Sequence, residues 1–181
     1  MQAAFMTAVD TMEVKEIPTP VPGPGQVLLR VRAVAVCASD VHIFHDGHSS
    51  GTYPSGPLTL GHEFSGEVAE LGGGVTQVQV GDRVACEPSW HCGKCDMCIR
   101  GLENLCRNVA FPSFPDNPGA MAEFIAVPAF SLCRLPDAVS FTAGALAEPL
   151  GVGLHAVRLS GLQAGQDVAI LGAGAIGVSI L

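Results

Sequence analysis

The stretch IPTPVPGPGQVLLRVRAVAV, residues 17–36, joins a proline-rich loop to a strand-like run. Four prolines and two glycines in residues 17–25 favour an extended loop, because both residues break regular structure. Arg30 and Arg32 then alternate with apolar residues, which is the period of a half-buried strand. Similar short runs follow or precede this one at residues 4–9, 12–16, 63–71, 75–80, 122–128 and 132–135. Many short strands separated by Gly and Pro turns predict a β-barrel or sandwich.

The composition is that of a folded, acidic protein. Of 181 residues 48% are hydrophobic and only 14% are charged, which excludes a disordered chain. Nine basic against seventeen acidic residues give a net charge of −8. Without a cluster of cations we expect no nucleic-acid partner and no membrane partner. The N-terminus resembles no signal peptide, so we expect a cytoplasmic protein whose cysteines bind metal or react rather than form disulfides.

The pattern changes in the last quarter of the chain. Residues 141–159 are rich in Ala, Leu and Gly, and they predict helix on both sides of Pro149. Residues 168–171 predict a short apolar strand that enters the glycine-rich turn GAGAIG, residues 172–177. Because one buried parallel strand needs neighbours for its backbone groups, we expect this chain to be the N-terminal portion of a longer protein.

Four cysteines lie close together in HCGKCDMCIRGLENLC, residues 91–106, with the spacing C-x2-C-x2-C-x7-C. Four thiolates can surround a tetrahedral zinc ion and leave it no open position, which is a structural site. Disulfides conflict with a reducing compartment and with the odd total of seven cysteines. An iron–sulfur cluster remains an alternative. The four cysteines of this candidate site are Cys92, Cys95, Cys98 and Cys106.

A second set of metal-binding residue types is dispersed along the chain. Cys37 ends an apolar run, His62 and Glu63 begin another, and Glu148 lies at or inside a predicted helix start. A cysteine, a histidine and a carboxylate can hold a zinc ion that keeps one position open for water or substrate. Spacing alone does not decide between this site and ordinary roles, such as a buried free cysteine.

Several motifs occur together in one order: VCASDVH at 36–42, TLGHEFSGEV at 59–68, VGDRV at 80–84, the four-cysteine segment, LAEPLGVGLHA at 146–156 and VAILGAGAIG at 168–177. With them the chain resembles the zinc-containing medium-chain dehydrogenase/reductase superfamily, especially its sorbitol, threonine and secondary-alcohol dehydrogenases. The resemblance covers essentially the whole chain. It implies a mainly β GroES-like barrel with a zinc lobe, followed by the truncated start, strand and helix, of an α/β Rossmann domain.

The resemblance also implies how the chain is divided. Residues 1–140 would form the GroES-like catalytic domain, with the zinc lobe at 86–108. Residues 141–162 would form a linking helical segment, and residues 163–181 would start the Rossmann cofactor domain. We expect the whole protein to be a homo-oligomer and this chain alone to be inactive.

For the second set of ligands, the resemblance implies a catalytic zinc bound by Cys37, His62 and Glu63. Glu148 would be a second acid that lies against the metal directly or through water, and which acid binds stays open. The implied reaction moves hydride between a secondary alcohol or polyol and NAD or NADP, with one catalytic and one structural zinc. A zinc-free quinone-reductase-like enzyme and a non-enzymatic zinc-binding module are the alternatives.

Ser39 and His42, which both follow Cys37 in the chain, are candidates for a proton relay. Ser39 could accept the proton of the alcohol, and His42 could pass it to solvent because a histidine titrates near neutral pH. The alternative is structural, since Ser39 and Asp40 could simply cap a helix that runs from Val41.

The glycine turn is the candidate cofactor site. In such turns the first glycine makes the bend, the second admits the pyrophosphate and the third lets helix and strand approach. The resemblance implies that Gly172, Gly174, Ile176 and Gly177 contact the nicotinamide cofactor. The acidic residue that selects NAD would lie beyond Leu181, so NAD and NADP cannot be distinguished.

One departure concerns the substrate. Sorbitol dehydrogenases often carry a tyrosine directly after the relay histidine, where this chain has Ile43. Because polyols need hydrogen-bond partners, this difference argues against sorbitol itself. Trp90, Phe111 and Phe114 could line a substrate cleft or belong to the core.

Overall fold

Two antiparallel sheets dominate the structure, a computed structural model that describes residues 1–48, 56–114 and 117–181. Within these residues the strand order is β2-β1-β4 in one sheet and β7-β3-β5-β6-β8 in the other. The strands are β1 (Gln2–Ala8), β2 (Thr11–Glu16), β3 (Gln26–Ala35), β4 (Leu58–Thr59), β5 (Glu63–Leu71), β6 (Arg83–Cys86), β7 (Phe124–Pro128) and β8 (Leu132–Arg134).

The helices are short, and the last three follow the final strand of the chain. They are α1 (Ala38–Asp46), α2 (Asp96–Ile99), α3 (Phe141–Ala145), α4 (Ala147–Ser160) and α5 (Ala175–Ile180), with 3₁₀ turns at Glu103–Leu105 and Ala129–Ser131. Among the described residues, none of these helices has the length and apolar character needed to cross a bilayer.

The main core lies around the paired strands β3 and β5. Val27 and Leu29 of β3 are fully buried, and Phe64 and Val68 of β5 are each 1% exposed. Burial of side chains of this size stabilises a fold by about 1.5–3 kcal/mol each. Gly66 lets the two strands approach closely, because a Cβ atom there would lie 2.4 Å from a carbonyl oxygen of β3.

The register of β3 and β5 brings together the two motifs that carry candidate ligands. Ala35, at the end of β3, pairs with Glu63, at the start of β5. Cys37 follows β3 and His62 precedes β5, so both lie at one edge of the sheet. Gly61 bends the chain just before His62 and β5, with φ of 93°, a left-handed conformation that suits glycine.

Two strand predictions are wrong. Residues 75–80 form no ladder, since left-handed Gly74 and Gly81 bend the chain at both ends and only Val78 is fully buried. Residues 168–171 also form no ladder, and Leu171 is 99% exposed. A strand needs a neighbour to bond its backbone, and residues 168–171 have none in the part of the chain that is described.

The break in the C-terminal helical segment is also displaced from its predicted place. Pro149 lies in the first turn of α4, where its missing N–H group costs no intrahelical hydrogen bond. The helix is interrupted instead at Leu146, which separates α3 from α4. The boundaries at residues 140 and 162 stay predictions.

Candidate catalytic and metal sites

Cys37, His62 and Glu63 form a compact group of candidate metal ligands. One ligand atom from each residue lies within 4.8 Å of the others. His62 and Glu63 are 5% and 6% exposed, and Cys37 is half-buried. Consecutive strand residues normally point to opposite faces, but His62 precedes the first paired residue of β5 and follows the bend at Gly61. The side chains of His62 and Glu63 can therefore both lie beside Cys37.

Asp40 organises this group, a role beyond the helix cap that its sequence position predicts. Its carboxylate accepts hydrogen bonds from the backbone N–H of Cys37, at 3.0 Å, and from that of Gly61, at 3.1 Å. Its Oδ1 atom also lies 3.6 Å from Nδ1 of His62. Asp40 is only 2% exposed, so it ties two ligand-bearing segments together inside the protein.

The electrostatic environment of His62 favours a cation. Burial by itself lowers the pKa of His62, but Asp40 and Cys37 raise it, and the balance raises the pKa to about 10. Nδ1 of His62 is buried, and no described residue forms a hydrogen bond with it. Because neighbours that favour a bound proton also favour a bound metal ion, the donor set of thiol, imidazole and carboxylate fits zinc.

Glu148 lies near this group but outside it. It stands in the first turn of α4 and is not among the ligand atoms that lie within 4.8 Å of one another. Burial raises its pKa, and the nearby charge of Glu63 raises it further. Glu148 also lines a cavity of about 400 Å³ with Glu87 and Phe111. Of the two acids, the structure brings Glu63 to Cys37 and His62.

The two relay candidates differ in exposure. Ser39 is half-buried and lines a cavity of about 180 Å³ together with His62 and Phe111. His42 has a side chain that is 68% exposed, and its Nδ1 atom lies 3.2 Å from Oδ2 of Asp46. Residues three apart on a helix are neighbours, so Ser39 and His42 share one side of α1.

The capping alternative for this segment is only partly correct. Helix α1 begins at Ala38 rather than at Val41, and Cys37 is its N-cap residue. The carboxylate of Asp40 accepts from the N–H of Cys37 at 3.0 Å, so Asp40 caps the helix from inside its first turn.

The four cysteines of the zinc lobe come together as one set of sulfur atoms within 4.8 Å of one another. The Sγ–Sγ distance is 3.5 Å between Cys95 and Cys98, 3.9 Å between Cys95 and Cys106, and 4.0 Å between Cys92 and Cys98. Thiolates around a tetrahedral zinc, with Zn–S bonds of about 2.3 Å, lie about 3.8 Å apart. The arrangement fits zinc, and all four thiols are free of disulfides.

Backbone N–H groups donate to two of these sulfurs, whereas burial and the neighbouring thiols raise the pKa of Cys98 to about 12. Sγ of Cys106 accepts from the N–H groups of Cys92, at 3.3 Å, and Asn108, at 3.4 Å. Hydrogen bonds from the backbone of Lys94 and Cys95 help to lower the pKa of Cys92 to about 6. A thiolate is the form that binds a metal, so the lobe backbone is arranged for metal binding.

A cleft of about 660 Å³ is bordered both by the Cys37 group and by the glycine turn. Its lining includes Cys37 and Glu63 together with Gly172, Gly174, Ile176 and Gly177. A Cβ on Gly177 would lie 2.0 Å from the carbonyl oxygen of Gly172, whereas a Cβ on Gly174 would meet no atom within 4 Å. The turn is therefore tight at its third glycine and open at its second, as a phosphate-binding turn requires.

Comparisons with known proteins agree with this architecture. The family model described as the alcohol dehydrogenase GroES-like domain matches residues 23–137. A sorbitol dehydrogenase from Bacillus subtilis is 38% identical over 178 residues, which are 98% of this chain and 50% of that protein. The chain thus spans about half the length of this curated relative.

Two solved structures extend the comparison. An Escherichia coli oxidoreductase of unknown specificity superposes with a TM-score of 0.93 at 35% identity, covering 99% of this chain and 52% of that one. A protein described as a zinc-binding dehydrogenase from Sinorhizobium meliloti, solved with NADP, gives 0.88 at 38% identity, covering 98% and 51%. The resemblance and the mainly β fold predicted from the sequence are confirmed. The chain belongs to the zinc-containing medium-chain alcohol dehydrogenase superfamily, of which it carries the GroES-like domain.

Proposed function

We propose that the protein containing this chain is a zinc-dependent oxidoreductase that transfers hydride between a secondary alcohol or polyol and NAD or NADP. The observation that carries the proposal is the shared cleft: Cys37 and Glu63 line it together with Gly172, Gly174, Ile176 and Gly177 of the glycine turn. The similarity to a sorbitol dehydrogenase and to a zinc-binding dehydrogenase solved with NADP supports both the substrate class and the cofactor.

The two donor sets suggest two different metal roles. Cys37, His62 and Glu63 supply three ligands and leave a tetrahedral ion one position for an alcohol oxygen. The four cysteines of the lobe leave no position open and would hold a structural ion. Bound zinc would supply Lewis acidity that makes the alkoxide accessible near neutral pH, and the nicotinamide would accept the hydride.

The proton of the alcohol would leave through residues of α1. Ser39 lines the cavity beside His62, and its hydroxyl would accept this proton. His42 is exposed and paired with Asp46, so its ring can exchange a proton with solvent. The buried carboxylate of Asp40 keeps Cys37 and His62 in place while the proton moves.

Glu148 would act on the metal through its charge rather than as a permanent ligand. Burial raises the pKa of Glu148, and repulsion from the charge of Glu63 raises it further. Acids beside a metal site tune the metal and the bound oxygen more than they retain the ion.

We also propose that the whole protein is a homo-oligomer of a reducing compartment, the cytoplasm. Free thiols at all seven cysteines support such a compartment. The sorbitol dehydrogenase from Bacillus subtilis is about twice as long as this chain. We therefore expect the isolated chain to oxidise no alcohol with either cofactor.

The proposal is tested by measuring reduction of NAD⁺ and NADP⁺ by the full-length protein with a panel of secondary alcohols and polyols. We expect turnover that is lost on chelation of zinc and is restored by added zinc. Ser39→Ala should lower kcat by about 10²–10⁴-fold, because the proton acceptor is removed. Quinone reduction that persists without zinc, or the absence of any alcohol oxidation, would contradict it.

A further inference from the structure

The cavity of about 180 Å³ beside the candidate zinc ligands has a polar end and an apolar wall. Ser39 and His62 form the polar end, where the reacting hydroxyl would lie. Ile43, Phe111 and Phe114 form the apolar wall. The ring centroids of Phe111 and His62 are 5.1 Å apart, so this wall begins directly beside the metal-binding imidazole.

Ser113 also borders the cavity but offers it no hydroxyl group. It is 2% exposed, and its Oγ atom is buried and has no hydrogen-bond partner among the described residues. A Cβ on Gly119 would come within 2.5 Å of this Oγ, which places the hydroxyl against the backbone of Gly119. Among the described residues that line the cavity, only Ser39 and His62 therefore present polar side-chain atoms to a ligand, and the reaction uses both.

This distribution of polar atoms disfavours a polyol in the cavity. A polyol carries a hydroxyl on each carbon, and each hydroxyl that is taken from water without a new partner weakens binding. An apolar substituent has the opposite balance, since it loses contact with water and gains contact with Ile43 and two phenylalanine rings.

The size of the cavity shows which substituents it can hold. An engineered apolar cavity of about 150 Å³ in another protein takes up benzene. A cavity of about 180 Å³ is therefore large enough for a six-carbon ring or a branched alkyl group of similar volume.

We propose that Ile43, Phe111 and Phe114 select a secondary alcohol whose carbinol carbon carries a compact apolar substituent, such as a phenyl ring. The inference rests on the proposed function, because the cavity receives the substituent only when the hydroxyl lies at the zinc ligands. It narrows that function from alcohols and polyols in general to apolar secondary alcohols.

A second cavity shows what a polyol would use instead. It has a volume of about 400 Å³, shares Phe111 with the first cavity, and is lined by Glu87, Ser89 and Glu148. A substrate held mainly by this polar cavity would favour xylitol and would be insensitive to Phe114, which does not line it.

The test compares kcat/KM for 1-phenylethanol and for xylitol in the full-length, zinc-loaded protein. We expect 1-phenylethanol to be preferred by at least about 10-fold. Phe114→Ser should lower kcat/KM for 1-phenylethanol by about 10–100-fold and leave that for xylitol unchanged or higher. Phe130→Ser is the matched control, because Phe130 is 50% exposed and lies outside the cavity, and it should change neither value.

Three further arms keep the inference separable from the proposed function. Phe114→Leu keeps the cavity wall apolar and should retain most of the preference for 1-phenylethanol over xylitol. Comparison with Phe114→Ser therefore separates the effect of a polar wall from that of misfolding. A preference for xylitol in the unmodified protein would overturn the inference and leave the proposed function standing. If neither alcohol is oxidised, the panel of alcohols and polyols decides the proposed function, and saturation-transfer NMR decides the inference: 1-phenylethanol should bind, Phe114→Ser should abolish binding, and an unchanged signal would contradict it.

Discussion

Asp40 lies 3.6 Å from Nδ1 of His62 and holds the backbone of Cys37 and Gly61 with the same carboxylate. The two candidate ligands are twenty-five residues apart in the chain, yet one buried side chain fixes both. A carboxylate that faces a metal-binding histidine orients the ring and increases its basicity. Asp40 is therefore expected to determine how well this site binds zinc.

The first prediction concerns Asp40→Asn. The variant loses the negative charge and turns an amide N–H₂ toward one of two backbone donors, which leaves a buried N–H unpaired. We expect zinc affinity at the Cys37 group to fall by about 10–100-fold and the free energy of unfolding to fall by about 1–3 kcal/mol. Chelator competition measures the first quantity and urea denaturation the second.

A control for this variant removes a carboxylate without touching the site. Asp137 is exposed and lies before α3, far along the chain from the ligands, so Asp137→Asn should change neither quantity. Zinc affinity of Asp40→Asn equal to that of the unmodified protein would show that Asp40 acts only as a helix cap.

The second prediction concerns the zinc lobe. Metal binding in a loop-rich segment is coupled to its folding, so Cys95→Ser should release one zinc per chain and open residues 86–108 to protease. Cys133→Ser is the control, because Cys133 is exposed on β8 and lies outside the lobe. Zinc content by mass spectrometry and limited proteolysis measure the outcome, and an unchanged digestion pattern after zinc loss would refute a structural role.

The third prediction compares two glycines of α4. A Cβ on Gly151 would meet no atom within 4 Å, so Gly151→Ala should raise the free energy of unfolding by up to about 1 kcal/mol. A Cβ on Gly153 would lie 2.5 Å from the carbonyl oxygen of Ser179 in α5, so Gly153→Ala should lower it by about 1–3 kcal/mol. Hydrogen exchange should accelerate in Ala175–Ile180 for Gly153→Ala alone, and equal exchange in both variants would contradict the packing of α4 on α5.

The fourth prediction separates the two acids near the candidate catalytic metal. Glu63 belongs to the ligand group, and Glu148 lies outside it. Glu63→Gln should therefore lose most of the zinc from this site, whereas Glu148→Gln should keep most of its zinc and lose kcat. Metal content and kcat are measured for both variants of the full-length protein, and the reverse pattern would make Glu148 the metal ligand.

The sequence predicted the elements that have strong local signals. The strand at residues 63–71 has the bounds of β5, because its apolar side chains and the glycine-rich ending at Gly72 agree. Residues 75–80 also look like a strand, but they pair with no other described strand, because the left-handed glycines Gly74 and Gly81 bend the chain at both ends. The strand predicted at residues 168–171 is absent because these residues have no neighbouring strand in the described part of the chain.

The candidate site could be predicted only in part. The spacing of the four cysteines marks the lobe by itself, since two-residue gaps direct thiolates to one point. Cys37 and His62 needed a family resemblance, because the β3–β5 register that joins them is not a local property. Asp40 was predicted only as a possible helix cap, and its contacts with His62 and Gly61 were not predicted, because they join segments that are distant in the chain.

The most direct test of the account is zinc content combined with zinc K-edge X-ray absorption on the full-length protein and on His62→Ala. The unmodified protein should hold about two zinc ions per chain, with sulfur at about 2.3 Å and lighter ligands at about 2.0–2.1 Å. His62→Ala should hold about one, surrounded by four sulfur atoms at about 2.3 Å. Two zinc ions in His62→Ala, or light-atom ligands around the ion that remains, would contradict the assignment of Cys37, His62 and Glu63 as a metal site.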